Sequence, residues 1–126
     1  MKYALLIYSP ATPEEYGQYA TAARQPDATS GAWGDFAQAL QAAGAHVAAE
    51  QLTHSETATT IHRDGERRVI TDGPFMETKE NLLGFYLIEA GNLDEALEWA
   101  QRMPVAPTSV IEVRAALPSP SWLPAT

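Results

Sequence analysis

The segment Leu82-Leu-Gly-Phe-Tyr-Leu-Ile88 decides the fold, because it is apolar at odd and even positions alike. Successive side chains of a strand point to opposite faces of a sheet, so a strand with this pattern must be covered on both faces. We therefore predict that it is a central strand, and that Gly84 marks a close approach of the backbone. The segment Lys2-Tyr-Ala-Leu-Leu-Ile-Tyr8 has the same character, and we predict that it lies beside the first one.

Two helices are predicted after the first strand. The first begins at Thr12-Pro-Glu-Glu15, where Thr12 and Glu15 can form a capping box and Pro13 suits the first helical position. Its apolar side consists of Tyr16, Tyr19, Ala20 and Ala23. After a break at Gln25-Pro-Asp27, a second helix ends at Gly44. Its apolar stripe consists of Trp33, Phe36, Ala37, Leu40 and Ala43, and we expect this stripe to face a sheet.

A third helix follows the central strand, with Asn92 as its cap and Pro104 after its end. We place Leu93, Ala96, Leu97 and Ala100 on its buried face. Residues 47–52 form a weak strand, and residues 57–63 a stronger one because β-branched side chains dominate it. Asp64-Gly65 is typical of a type I′ hairpin turn, with residues 67–71 as the return strand. Residues 110–114 close the chain as an alternating strand, in which Ile111 and Val113 share one face.

The order of these elements is strand, helices, strand, hairpin, strand, helix, strand. This order predicts an α+β domain of two ferredoxin-like β-α-β halves with an inserted hairpin between them. Helices cover only one face of such a sheet, yet both central strands are apolar on both faces. We therefore expect a homodimer in which two sheets pack face to face as a dimeric α/β barrel.

Composition limits the classes of function. The 126 residues suit one domain over residues 1–117 with a Pro-rich tail over residues 118–126. A net charge of -8 argues against nucleic-acid binding, because phosphate backbones attract clustered Lys and Arg. No apolar run approaches the roughly 18 to 20 residues of a membrane-spanning helix, and Met1 and Lys2 lead directly into the first strand, so we expect no secretory leader. The absence of cysteine is consistent with a reducing compartment, so we expect a cytoplasmic bacterial protein without a membrane partner.

The stretch Thr71-Asp-Gly-Pro-Phe-Met-Glu-Thr-Lys-Glu80 and the central strand after it resemble the signature of the YCII-related (DGPF domain) family. The resemblance extends to the third helix, the closing strand and the first strand. It implies a dimeric barrel of ferredoxin-like halves but no reaction. It also implies a possible partner, since such proteins are often encoded beside extracytoplasmic-function sigma factors. The wider superfamily is suspected of catalysis through a His and Asp pair, but no histidine lies next to Asp72 in this sequence.

Asp72 has two interpretations. In the first, it belongs to a turn that it stabilises by hydrogen bonding, with Gly73 in an unusual conformation and Pro74 restricting the next residue. In the second, it is a catalytic general base at the mouth of a pocket. Lys79 lies in the acidic stretch after the turn, and we predict that it pairs with Asp72 or Glu77 or else is solvated.

Glu112 and Arg114 alternate with the apolar residues of the last strand, so we predict that they face the interior of the dimeric barrel. There we expect Arg114 to form an ion pair with Glu112 or Asp72 that fixes the register of the dimer, or to bind an anion. Tyr8 and Tyr86 belong to the core or present hydroxyl groups to a cavity. His46, His54 and His62 match no metal-binding pattern, so we predict neither a metal site nor a cofactor.

The sequence therefore predicts a homodimer that binds a small polar molecule near the turn at Asp72, with Glu112, Arg114, Tyr8, Tyr86 and Lys79 as binding residues. Whether the domain also acts on that molecule stays open, since no nucleotide, phosphate or nucleophile motif is present. The alternative is an accessory protein that regulates a sigma factor by contact. A third possibility is a dimer that only scaffolds other proteins.

Overall fold

The computed structural model describes residues 1–22 and 31–124, and these form six strands, three α-helices and a short 3-10 helix at Ser55–Thr57. In chain order they are β1 (Lys2–Ser9), α1 (Pro13–Ala22), α2 (Ala32–Ala42), β2 (His46–Gln51), β3 (Thr59–Asp64), β4 (Arg67–Asp72), β5 (Asn81–Glu89), α3 (Leu93–Arg102) and β6 (Val110–Ala115). The predicted element types and their order are confirmed. The predicted break at Gln25-Pro-Asp27 and the position of Ala23 lie outside the described residues.

The four-stranded sheet has the strand order β2-β5-β1-β6, and every neighbouring pair is antiparallel. Because β1 and β5 occupy its centre, the prediction from their two-sided apolar pattern is confirmed. This order is compatible with a ferredoxin-like fold, in which two β-α-β units interleave their strands. At Gly84 the backbone of β2 approaches closely, since a Cβ there would lie 3.0 Å from the carbonyl oxygen of Glu50.

The core lies between one face of this sheet and the helices. The residues at its centre are Leu5 of β1, Leu40 of α2 and Ile88 of β5, which have no exposed surface. Burial of each such side chain stabilises the fold by about 1.5–3 kcal/mol. Both helix caps expected from the sequence are present, as Thr12 and Glu15 bond reciprocally and the side chain of Asn92 accepts from Glu95. Each cap contributes roughly 1 kcal/mol. No helix in the described ranges is long and apolar enough to cross a bilayer.

The other face of the sheet, here called the open face, lacks a helical cover among the described residues. Cross-strand register places Leu6 of β1 between Phe85 of β5 and Glu112 of β6, so all three lie on this face. The neighbouring row consists of Ala4, Leu87 and Arg114. The apolar members of both rows are only half-buried, whereas Glu112 and Arg114 are exposed. As predicted, Ile111 and Val113 point the other way and pack against the core.

The orientation of α3 differs from the prediction. Ala96 and Ala100 are buried as expected, but Leu93 is 51% exposed and Leu97 is 37% exposed. The buried stripe instead continues through the half-buried Trp99 to Met103. The helix is therefore rotated about its axis relative to the expectation, because the large indole ring and Met103 fill the space above the sheet.

The strands β3 and β4 form a separate two-stranded sheet. Asp64 pairs with Arg67, so the connecting loop consists of Gly65 and Glu66 rather than of the predicted Asp64-Gly65. Among the described residues only glycines have a positive φ, and Gly65 has a φ of 64°. A positive φ at the first of two loop residues alone is the pattern of a type II′ turn, so the predicted type I′ turn is wrong.

The turn after β4 generates a stability prediction. Gly73 has a φ of 97°, its N–H donates to the Ala58 carbonyl over 2.6 Å, and its own carbonyl accepts from the Thr60 hydroxyl over 2.6 Å. We expect Gly73→Ala to lower the free energy of unfolding by about 1–3 kcal/mol, because alanine is strained at that φ.

The matched control is Gly17→Ala, because Gly17 lies inside α1 and an added Cβ would meet nothing within 4 Å. This exchange should stabilise the protein by up to about 1 kcal/mol. Urea unfolding of both variants measures the two effects. Equal and small changes for the two variants would contradict the conformation assigned to Gly73.

Candidate functional site

A pocket of about 930 Å³ opens on the helix side of the sheet. Its floor includes Ile7 of β1, Ala49 of β2 and Gly84 of β5, and its walls come from α1, from the start of α2 and from the loop over residues 104–109. Most of the lining is apolar or aromatic, with the hydroxyl groups of Ser9, Thr108 and Ser109 among the polar contributions. A pocket of this size and composition suits a small organic molecule.

One wall is an aromatic cluster that the core holds in place. The ring of Trp33 lies parallel to that of Tyr86, with an interplanar angle of 5° and ring centroids 6.2 Å apart. The buried Phe36 meets both rings edge-on, at 6.0 Å from Trp33 and 5.4 Å from Tyr86. Edge-to-face and offset parallel contacts are the preferred geometries of aromatic pairs, so the wall is preorganised.

Two phenol groups belong to the same cluster. The Tyr19 hydroxyl accepts a hydrogen bond from the Trp33 side chain, which favours ionisation, but the stronger effect of burial raises the pKa of Tyr19. Burial also raises the pKa of Tyr86, and the nearby Tyr19 adds to that shift. Both groups are therefore neutral phenols at physiological pH, and they can donate hydrogen bonds within the pocket.

Tyr16 fixes α1 at the edge of the pocket. Its ring is buried and its hydroxyl donates to the carbonyl groups of Leu52 and Leu83, the latter over 3.2 Å. His54 packs beside it with ring centroids 6.1 Å apart, and its Nε2 lies 3.0 Å from the Ala11 carbonyl oxygen. These bonds join α1 to β5 and to the segment after β2, so they position one wall of the pocket.

Glu15 and Glu50 are the acidic residues of the lining. Glu50 pairs in register with Phe85 of the open face, so its side chain points away from the helix side of the sheet. Glu15 accepts hydrogen bonds from the side chain and the backbone of Thr12, and these bonds lower its pKa. It is therefore ionised at neutral pH. Among the described residues, none that lines the pocket is a lysine, an arginine or a histidine.

Of the residues predicted to bind a ligand, Tyr86 lines this pocket. Tyr8, Glu112 and Arg114 lie on the open face, on the opposite side of the sheet. Arg114 forms no ion pair with Glu112 or Asp72 in the described part of the chain. The structure of one chain therefore does not bring these residues together with Tyr86.

Asp72 ends β4, pairs in register with Thr59 and is exposed. The positive φ of Gly73 agrees with the turn interpretation of this motif. Lys79 is exposed in the loop before β5, and neither residue lines the pocket. A catalytic role of Asp72 and a binding role of Lys79 stay predictions.

Among the described residues, no three His, Asp or Glu side chains lie close enough together to hold a metal ion. In His54 the Nδ1 atom accepts from the Glu56 N–H and the Nε2 atom contacts Ala11, so both ring nitrogens are engaged within the protein.

Three pocket residues were assigned by sequence reasoning to packing alone, namely Tyr16, Tyr19 and Trp33. The spacing of Tyr16 and Tyr19 by three residues places them on one side of α1. In the structure Tyr16 is buried and Tyr19 remains 48% exposed. The pair of tyrosines at this spacing is the one signal in the sequence that could have indicated a cavity.

Comparison with known proteins places the chain in a family. The model of the YCII-related domain matches residues 1–119. An uncharacterized protein of Rhizobium meliloti (strain 1021) is 44% identical over 77 residues, which cover 59% of this chain and 62% of that protein. The chain thus spans under two thirds of that relative, and the relative's name states no activity. Because the family match covers nearly all of the sequence, the chain belongs to the family of YCII-related domain proteins.

Proposed function

We propose that the protein is a homodimer that binds a small organic molecule in the pocket between the sheet, α1 and α2. The observation that carries this proposal is the pocket itself. Its volume of about 930 Å³ lies within the range of about 300–1,000 Å³ that ligand sites occupy. Its aromatic wall is rigid, and its few polar groups can orient a ligand. The pocket replaces the turn at Asp72 as the proposed site, because only Tyr86 of the predicted residues lines it.

The open face supports the homodimer. Leu6, Phe85 and Leu87 form a half-buried apolar patch that the described helices leave uncovered. Packing of this face against the same face of a second copy would form the dimeric α/β barrel and place Tyr8, Glu112 and Arg114 in or around the interface. Apolar contact is the main source of stability in such permanent interfaces, which commonly bury more than about 1,200 Å².

We expect Ala106→Trp to weaken ligand binding by about tenfold or more, because an indole added to the pocket wall occupies ligand volume. Ala106 lies in the exposed loop over residues 104–109, so the fold should tolerate the change. The measurement is the set of ligands that native mass spectrometry finds on protein purified from its native host. The control is Ala42→Trp, the same exchange at the exposed end of α2 away from the pocket. Equal ligand occupancy in both variants would overturn the proposed site.

We expect Leu6→Glu to convert the dimer to a monomer at a protein concentration of about 10 μM, because it places a second carboxylate beside Glu112 in an apolar interface, where unpaired charge is costly. Leu97→Glu introduces the same charge on the outer side of α3 and should leave the dimer intact. Light scattering after size-exclusion chromatography measures both masses. A monomeric wild-type protein, or a dimeric Leu6→Glu variant, would contradict packing through the open face.

A second candidate function, regulation of an extracytoplasmic-function sigma factor by contact, is favoured by one surface. Ile61 and Ile70 face each other across β3 and β4 and are 62% and 67% exposed. Phe75 and Met76, in the loop that follows β4, are 80% and 64% exposed. Exposed apolar side chains that face each other, as Ile61 and Ile70 do, are typical of protein-binding surfaces.

The double exchange of Ile61 and Ile70 to Ser should therefore abolish co-purification of a sigma factor from the native host, because the pair loses its apolar contact area. Mass spectrometry of affinity-purified complexes provides the measurement. The same exchange at Leu93 and Leu97 on α3 is the control, since these two residues are also exposed and adjacent. If no sigma factor accompanies the wild-type protein, or if the Ile61 and Ile70 variant retains it, this candidate is wrong.

A further inference from the structure

One face of the hairpin formed by β3 and β4 combines apolar and cationic side chains. Ile61 pairs with Ile70, and Arg63 pairs with Arg68. The two pairs lie two residues apart along both strands, so all four side chains point to the same side, here called the hairpin face. Both isoleucines and both arginines are exposed. The hairpin face therefore presents an apolar pair next to a pair of positive charges.

The hairpin receives little packing from the rest of the chain. Among the described strands, β3 and β4 pair only with each other. Ten of their twelve residues are exposed, and the two half-buried residues, Thr60 and Val69, lie on the side opposite to the hairpin face. A two-stranded hairpin is at best marginally stable in water unless another strand or a helix packs on it. A partner on the hairpin face would supply that packing.

The charges on the hairpin face are unbalanced. Arg63 and Arg68 lie directly opposite each other, and like charges in such cross-strand pairs repel. Neither guanidinium group forms an ion pair with any residue that the structure describes. Asp72 lies on the same side of the hairpin, but the isoleucine pair separates it from the arginines. Carboxylates of a partner placed between the two arginines would remove the repulsion and form charge-assisted hydrogen bonds.

We infer that the hairpin face binds a short segment of a partner protein in which apolar side chains lie beside aspartate or glutamate. The apolar side chains contact Ile61 and Ile70, and the carboxylates pair with Arg63 and Arg68. The inference rests on the second candidate function for the location of the surface. It goes beyond that function because it names the chemistry of the partner, which need not be a sigma factor.

A protein segment suits this face better than a phosphate-bearing partner or a second copy. The net charge of -8 repels nucleic acids and anionic membranes from the chain as a whole. A short segment approaches only the hairpin, and charges farther away than about 8 Å are largely screened at physiological ionic strength. The hairpin face of a second copy would add two further arginines to a surface that already lacks a counter-charge.

The experiment selects peptides of about 16 residues, long enough for an amphipathic helix or a strand, from a random display library. The wild-type chain is the bait, and peptides that also bind the Ile61→Ser and Ile70→Ser double variant are discarded. We expect the retained peptides to be enriched in Asp and Glu next to Leu, Ile, Phe or Trp. Fluorescence anisotropy of labelled synthetic peptides then measures their affinity for each variant.

Arg68→Gln and Arg67→Gln form a matched pair, because these neighbours in β4 carry the same charge on opposite sides of the hairpin. We expect Arg68→Gln to weaken binding of the selected peptides by about tenfold, and Arg67→Gln by less than about twofold. Combined Arg63→Glu and Arg68→Glu reverses the charge but keeps like charges opposite each other. This variant should bind peptides in which Lys replaces the acidic residues, which a merely structural role of the arginines would not produce.

Hairpin-dependent peptides that are neutral or basic would overturn the inference, as would a selection that yields no hairpin-dependent peptide. Equal effects of Arg68→Gln and Arg67→Gln would do the same. Tighter binding of single-stranded DNA or phosphatidylglycerol vesicles, lost in Arg68→Gln, would assign the face to a different partner. So would self-association that this variant abolishes. If acidic peptides bind as expected but no sigma factor accompanies the purified protein, the second candidate function fails and this inference stands.

Discussion

The structure depends on the fact that the two central strands are apolar on both faces, whereas the described helices cover only one face of the sheet. On the helix side Leu5 and Ile88 are completely buried, whereas Leu6 and Leu87, one residue away on the same strands, are only half-buried. A strand exposes alternate residues to opposite faces, so no rotation of β1 or β5 could bury both sets in one chain. Folding of a single chain therefore leaves apolar area exposed on the open face. The stabilisation that burial of this area would add is the physical argument for a second copy.

The pocket lies on the helix side of the same sheet, and its shape depends on how the helices pack there. α3 packs on the core through Ala96, Ala100 and Met103, with the half-buried Trp99 beside them. Next to the pocket, the sheet is covered by aromatic side chains of α1 and α2. Tyr16 is fixed by two backbone carbonyls and Trp33 by its parallel contact with Tyr86, which holds these elements apart from the floor at Gly84. Core packing and pocket geometry consequently depend on the same side chains.

Sequence patterns predicted most of the fold because they reflect interactions between residues that are close in the sequence. Two-sided apolar runs identified the central strands, and the capping residues Thr12 and Asn92 located two helix starts through short-range hydrogen bonds. The details that failed depend on tertiary packing or on register. The rotation of α3 follows from where Trp99 finds space above the sheet. The type of the hairpin turn follows from the pairing of Asp64 with Arg67, which one sequence cannot reveal.

The site was harder to predict, since the most distinctive motif and the pocket lie in different places. Asp72 and Gly73 stand together in the sequence because a turn needs them together, and the backbone bonds of Gly73 to Ala58 and Thr60 account for that need. The pocket residues come from several separate elements and have no common spacing. Glu15 illustrates the difficulty, because its capping bond to Thr12 explains its presence completely from the sequence. Only the fold places Glu15 among the residues that line the pocket.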